Sequence, residues 1–121
     1  MSVFSKPAPE DVVLRNELCY ARWDKYPVSE GHLLVIPFRE FTSYFDATGA
    51  EKSALWSLVD EAKRFLDQKH HPDGYNVGIN VGEAAGQTVM HMHIHVIPRY
   101  RGDMDDPRGG VRGVITGKQK Y

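Results

Sequence analysis

Apolar residues recur along this chain with two different periods. Over 49–69, Leu55, Leu58, Val59, Ala62, Phe65 and Leu66 return at spacings of three and four, which predicts one long amphipathic helix. Thr48 or Gly49 caps its start, Glu51 stands three residues after Thr48 as in a capping box, and Pro72 and Gly74 stop it. Shorter apolar runs predict strands at 12–14, 17–23, 32–36, 75–81 and 89–97, with Pro37 and Pro98 ending the third and the last. The unbroken HLLVI run at 32–36 predicts a buried central strand. Along 89–97, Met90, Met92, Ile94 and Val96 alternate with His91, His93 and His95, so a strand turns the two sets to opposite faces. Between these elements, 24–31 reads as a turn, 40–48 as irregular or briefly helical, and 82–87 as a short loop. Residues 1–10, with Pro7 and Pro9, read as a loose lead-in. The Gly-, Asp- and Arg-rich stretch from Arg101 reads as a tail that Val111, Val114, Ile115 and Tyr121 tack down. Trp56 falls at the edge of the helix stripe, where a partner subunit is expected to meet it. The sum is an α+β fold, an antiparallel sheet with one main helix packed on it.

Composition narrows this picture. A length of 121 residues fits one domain over 1–121, with 101–121 its less regular tail, and is enough for a core without disulfide or metal staples. Fifteen basic and sixteen acidic residues leave a net charge of -1, which argues against broad nucleic-acid binding but leaves room for a local phosphate pocket. Cys19 is the only cysteine, so an intramolecular disulfide and a thiolate-rich metal site are both excluded. No stretch approaches the ~20 apolar residues of a membrane helix, and no signal-like run opens the chain, so a cytoplasmic protein is expected.

Half of the six histidines lie within the five residues 91–95. Three readings compete. A zinc site suits three histidines, with His32 as a ligand from another element, but same-face positions on one strand lie about 6.6 Å apart and converge poorly on one ion. A structural accident would be an odd way to cover a surface. Phosphate chemistry needs a nucleophile, donors to nonbridging oxygens and a proton for the leaving group, and imidazole supplies all three near neutral pH. Gln87 and Thr88 precede the triplet, Asn80 ends the preceding strand, and Gly82 and Gly86 let backbone approach an anion. Asp24 sits in a turn, where it either caps its own backbone or serves a ligand.

The run Gly86-Gln87-Thr88-Val89-Met90-His91-Met92-His93-Ile94-His95-Val96 resembles the signature of the histidine triad (HIT) family, His-x-His-x-His among hydrophobic residues. Gly31-His32-Leu33-Leu34-Val35-Ile36-Pro37 is similar to the family's glycine-histidine strand, and Asn80 stands seven before Gln87, as in that family. The resemblance covers about residues 10–100 and implies a half-barrel antiparallel sheet with one long and one short helix. It implies a nucleotide hydrolase or transferase in which His93 attacks the α-phosphorus and forms a nucleotidyl-histidine. His91 and His95 would orient the nucleophile and contact phosphate, and Thr88 would serve phosphate or the leaving group. His32, Asp24, Asn80 and Gln87 would bind the nucleotide, with Asp24 on the ribose and the base near Leu18, Tyr20 and Trp23. No resident metal is implied, only Mg2+ arriving with a polyphosphate substrate, and the family usually dimerises through its long helix and a strand. The Glu-Ala-Ala-Gly-Gln-Thr loop and the Val-Ile-Pro-Arg after the triad look closer to the dinucleoside polyphosphate hydrolases than to the nucleoside phosphoramidases. Phosphoramidate hydrolysis, and nucleotide binding with incidental catalysis, remain the alternatives.

Overall fold

The computed structural model describes residues 1–121. Five strands form one antiparallel sheet: β1 (Leu14–Arg15), β2 (Cys19–Trp23), β3 (Leu33–Pro37), β4 (Gly74–Ile79) and β5 (Ile94–Arg99), in the order β1-β2-β3-β5-β4. One α-helix, α1 (Gly49–His70), crosses one face. Short 3-10 turns at Pro9–Asp11, Tyr44–Asp46, Glu83–Ala85 and Gly110–Val114 complete the fold, so the expected short helix is a 3-10 turn. No helix is long and apolar enough to cross a membrane.

The start of α1 is built as the pattern predicts. The Thr48 hydroxyl accepts from the Glu51 N–H at 3.0 Å, and the Glu51 carboxylate accepts from the Thr48 N–H at 2.8 Å. Glu51 is itself buried, and Arg39 donates to both its oxygens at 2.9 and 2.8 Å. Those bonds bring its carboxyl pKa down to about 2. The helix is capped at its C-terminus by His71, left-handed at φ 52°, whose N–H reaches the Asp67 carbonyl before Pro72 blocks further winding.

Both faces of the central strands are buried, and they hold different things. On the helix face, Cys19 and Ala21 of β2, Leu33 and Val35 of β3, and Met92, Ile94 and Val96 pack against Leu55, Leu58, Val59, Ala62 and Leu66 of α1. The intervening residues Tyr20, Leu34 and Ile36 meet Phe4 on the opposite face. That second cluster explains why β3 reads as an unbroken apolar run.

Other expectations also differ from the structure. The last strand is Ile94–Arg99 rather than 89–97, because the chain leaves the sheet at His93, where the Met92 N–H is taken by the Phe41 carbonyl at 2.7 Å. Met90 is accordingly exposed, although Met92, Ile94 and Val96 face inward as expected. The first strand lies at Leu14–Arg15, not 12–14. Residues 1–10 are not a loose lead-in, since Phe4 is buried in the second cluster and its carbonyl accepts from the Tyr20 hydroxyl at 2.7 Å. Val111, Val114, Ile115 and Tyr121 are all exposed and do not tack the tail down.

Candidate active site

Alternation along three strands builds one row across the face opposite α1. Arg22 on β2 pairs with Leu34 on β3, and Leu34 pairs with His95 on β5. Residues two apart share a face, so Asp24 and His32 extend that row just beyond the ends of β2 and β3. The row floors a cleft of about 520 Å³ whose walls include Phe4, Asn80, Thr88, Val89 and His93. Gly31 seats His32 beside Asp24 and His95. It lies at φ 91°, and a Cβ there would come within 2.9 Å of His70 and 3.1 Å of Leu66, so only glycine fits.

Hydrogen bonds fix the imidazole tautomers. The Val28 N–H donates to His32 Nδ1 at 3.2 Å, which leaves the proton on His32 Nε2. That nitrogen lies 3.0 Å from His95 Nδ1 and 3.3 Å from Asp24 Oδ2, so it donates between them. His95 Nδ1 is then an acceptor, and the neutral His95 carries its hydrogen on Nε2. The His91 carbonyl can only accept, so the 2.8 Å contact with His93 Nδ1 places a proton there and leaves His93 Nε2 with its lone pair. His93 and His95 meet edge to face with ring centroids 5.1 Å apart.

Burial keeps these rings neutral. It is the main cause lowering the pKa of His93 and of His32, and it brings His95 down to about 4 with help from the neighbouring histidines. Asp24 opposes the shift in all three.

The expected site residues divide into two groups. His93, His95, His32, Asp24, Asn80, Thr88 and Gln87 all line the cleft. His91 does not line it: fully buried behind it, its Nε2 bonds the Pro37 carbonyl at 2.8 Å and its Nδ1 the Ser2 hydroxyl at 2.6 Å. Gln87 reaches the cleft wall, but its side chain is spent on the loop. Oε1 accepts from the Gly82 N–H at 2.8 Å, and Nε2 donates to the carbonyls of Thr42 and Val89 at 2.9 and 3.2 Å. Asp24 does both things open to it, since Oδ1 accepts from the Tyr26 N–H at 2.8 Å while Oδ2 faces the histidines. Of the residues suggested for the base, Trp23 lines the cleft, whereas Tyr20 is buried beneath Phe4 and Leu18 lies on the helix side. Metal-ligand spacing also falls elsewhere than in the triplet: the atoms of Asp24, His32 and His95 lie within 4.8 Å of one another. Sequence reasoning missed Phe4 and Arg22. Phe4 was hidden by the two prolines that follow it, and its one signal was a single aromatic residue in a segment without periodicity.

The HIT domain family model matches residues 5–102. A relative named AP-4-A phosphorylase, from Mycobacterium tuberculosis, is 40% identical over 93 residues, which is 76% of this chain and 48% of that protein. One from Schizosaccharomyces pombe, named asymmetrical bis(5'-nucleosyl)-tetraphosphatase, is 36% identical over 104 residues, 85% of this chain and 57% of the other. The chain thus spans about half the length of these curated relatives. The crystal structure of a Zn-bound histidine triad family protein from Mycobacterium smegmatis superposes with a TM-score of 0.72 at 34% identity, covering 79% of this chain and 70% of that one. With a family match that omits only the two ends and relatives at this level of identity, the chain belongs to the HIT domain family.

Proposed function

We propose that this chain cleaves dinucleoside polyphosphates at the α-phosphate through a nucleotidyl-His93 intermediate. The observation that carries the reading is the bond from His93 Nδ1–H to the His91 carbonyl, which leaves Nε2 unprotonated in a histidine that lines the cleft. His93 Nε2 attacks the α-phosphorus, the N–P bond forms, and the P–O bond to the departing nucleoside phosphate breaks. His95 Nε2–H supplies the proton to that leaving oxygen. Water then attacks phosphorus, the N–P bond breaks, and the proton lost by water returns to His95. Inorganic phosphate in place of water gives a nucleoside diphosphate instead of a monophosphate, so hydrolase and phosphorylase share the first step. The relatives named phosphorylase and tetraphosphatase support this substrate class.

Asp24 meets the ribose, and Asn80 and Thr88 meet phosphate oxygens. Gln87 serves by holding the loop from Gly82 to Val89 in shape rather than by lending its amide to substrate. His91 acts through its carbonyl.

The test is turnover of a panel by wild type and His93→Ala, with and without phosphate and Mg2+. Diadenosine tri- and tetraphosphate, adenosine 5'-phosphoramidate and an ADP-sugar make up the panel. The reading expects a dinucleoside polyphosphate to give the highest kcat/KM, and His93→Ala to lose at least ~10³-fold in kcat. Preference for the phosphoramidate would move the chain to the other branch. Mg2+ is expected to enter with the substrate and no zinc to be resident, a reading supported by the hydrogen bond between His32 Nε2 and His95 Nδ1, which occupies the two nitrogens nearest Asp24. Elemental analysis finding one tightly held zinc per chain, with activity lost on its removal, would reverse that part.

A further inference from the structure

We propose that Ser2 is a positioning residue for the His93 reaction, acting through the imidazole of His91; the inference rests on the function just proposed. Residues 2–4 precede the stretch matched by the family, yet they are tied to the triad. His91 Nε2 faces the Pro37 carbonyl, which only accepts, so Nε2 carries a hydrogen and the single-hydrogen tautomer presents Nδ1 as an acceptor. The Ser2 hydroxyl, 2.6 Å from Nδ1, is its donor. The same oxygen accepts from the Phe4 N–H at 3.0 Å, and Nδ1 at 2.6 Å is a nearer acceptor for its proton than the Ser5 hydroxyl at 3.3 Å. The segment is anchored as well: the Ser2 N–H donates to Glu40 at 2.7 Å, the Ser5 hydroxyl donates to the same carboxylate, and Phe4 packs edge-on against both His91 and His93.

The His91 ring is therefore a strut pinned at both nitrogens, by β3 on one side and by Ser2 on the other. Its own carbonyl holds His93 Nδ1–H at 2.8 Å. Without the Ser2 donor, Nδ1 is a buried acceptor with no partner, and the ring has reason to tilt. A tilt carries the 91 carbonyl with it and misaims the lone pair on His93 Nε2. Binding groups such as Asp24 and Asn80 stand on other elements and are untouched.

The test compares wild type, Ser2→Ala and Ser2→Thr as full chains, with diadenosine tetraphosphate as probe, reading kcat and KM separately alongside imidazole 15N spectra. Ser2→Ala is expected to lower kcat roughly ten-fold with KM moving less than about two-fold, and Ser2→Thr, which keeps the hydroxyl, to recover most of the loss. In the spectra, Ser2→Ala is expected to shift the nitrogens of both His91 and His93. Unchanged kcat in Ser2→Ala, a loss confined to KM, or a threonine variant as slow as the alanine one would overturn the proposal. The spectra need no turnover: if wild type fails to cleave the probe, an unmoved His93 signal in Ser2→Ala still refutes the strut, and a moved one supports it.

Discussion

At the scale of single residues, the chemistry depends on which nitrogen carries each proton. Val28, His32 and His95 form a directed line of donors that ends on His95 Nε2, while the His91 carbonyl sets His93 the other way round. Burial favours the neutral rings, so the acid limb of kcat/KM should fall below pH 6.5, the ordinary imidazole value. Asp24 is the one neighbour that raises the pKa of all three histidines. Asp24→Asn keeps an oxygen for the Tyr26 N–H but removes the charge, so it should lower those values and move the acid limb to still lower pH. A pH–rate profile whose acid limb lies above 6.5 in wild type, or rises in Asp24→Asn, would contradict this. Seven of the eight residues singled out from sequence line the cleft: His95 is on β5, and Asp24, His32, Asn80 and His93 each sit one residue beyond a strand end, where the strand still carries them to the cleft. His91 and Gln87 were harder to place. Histidine at 91 continues the alternation in sequence, but the chain has left the sheet there, and nothing local shows that Ser2 and Pro37 receive its ring.

Elements were legible to the extent that local physics determines them. The helix, its capping box and its stop follow from side chains a few residues apart, and they appear as read, with the end shifted by one residue to His70. Strand ends were less so, since the pairing partners decide them: β5 begins at Ile94, opposite Ile79, where β4 ends. The N-terminal segment has no periodicity of its own and, beside a few bonds within residues 2–5, is held by the distant partners Tyr20, Glu40 and His91. Glu51 ties α1 to Arg39 and carries an acid-sensitivity prediction. Its folded pKa of about 2 lies below the ordinary 4.5, so the stability it contributes is present above pH 4.5 and is lost as pH falls toward 2. Glu51→Gln should cost about 2 kcal/mol at neutral pH and flatten that part of the stability–pH curve. Denaturant unfolding at pH 7, 4.5 and 3 checks it, and an identical pH slope in wild type and variant would refute the assignment.

At the scale of the whole molecule, the two faces of one sheet divide the work. The helix face is a conventional apolar core, and the other face is closed by Phe4 at one end and left open as a cleft at the other. β4 is an edge strand, Val77 on it is exposed, and Trp56 stands out from α1 with its indole donating to the Tyr44 hydroxyl at 3.2 Å. An open edge and an exposed indole are liabilities that a twin subunit would cover, so a homodimer is expected. Light scattering at micromolar concentration should give twice the chain mass of 13.7 kDa, and a value at that mass itself would refute the dimer.

The central claim is that His93 becomes covalently attached to the nucleotide, and trapping tests it most directly. Enzyme turning over diadenosine tetraphosphate is quenched at neutral to alkaline pH, digested and examined by mass spectrometry. A nucleoside monophosphate adduct on the peptide containing His93, removed by acid and absent from His93→Ala, is the predicted result, with net retention at phosphorus from two successive displacements. Full-rate turnover by His93→Ala, or inversion at phosphorus in a single displacement by water, would contradict the account.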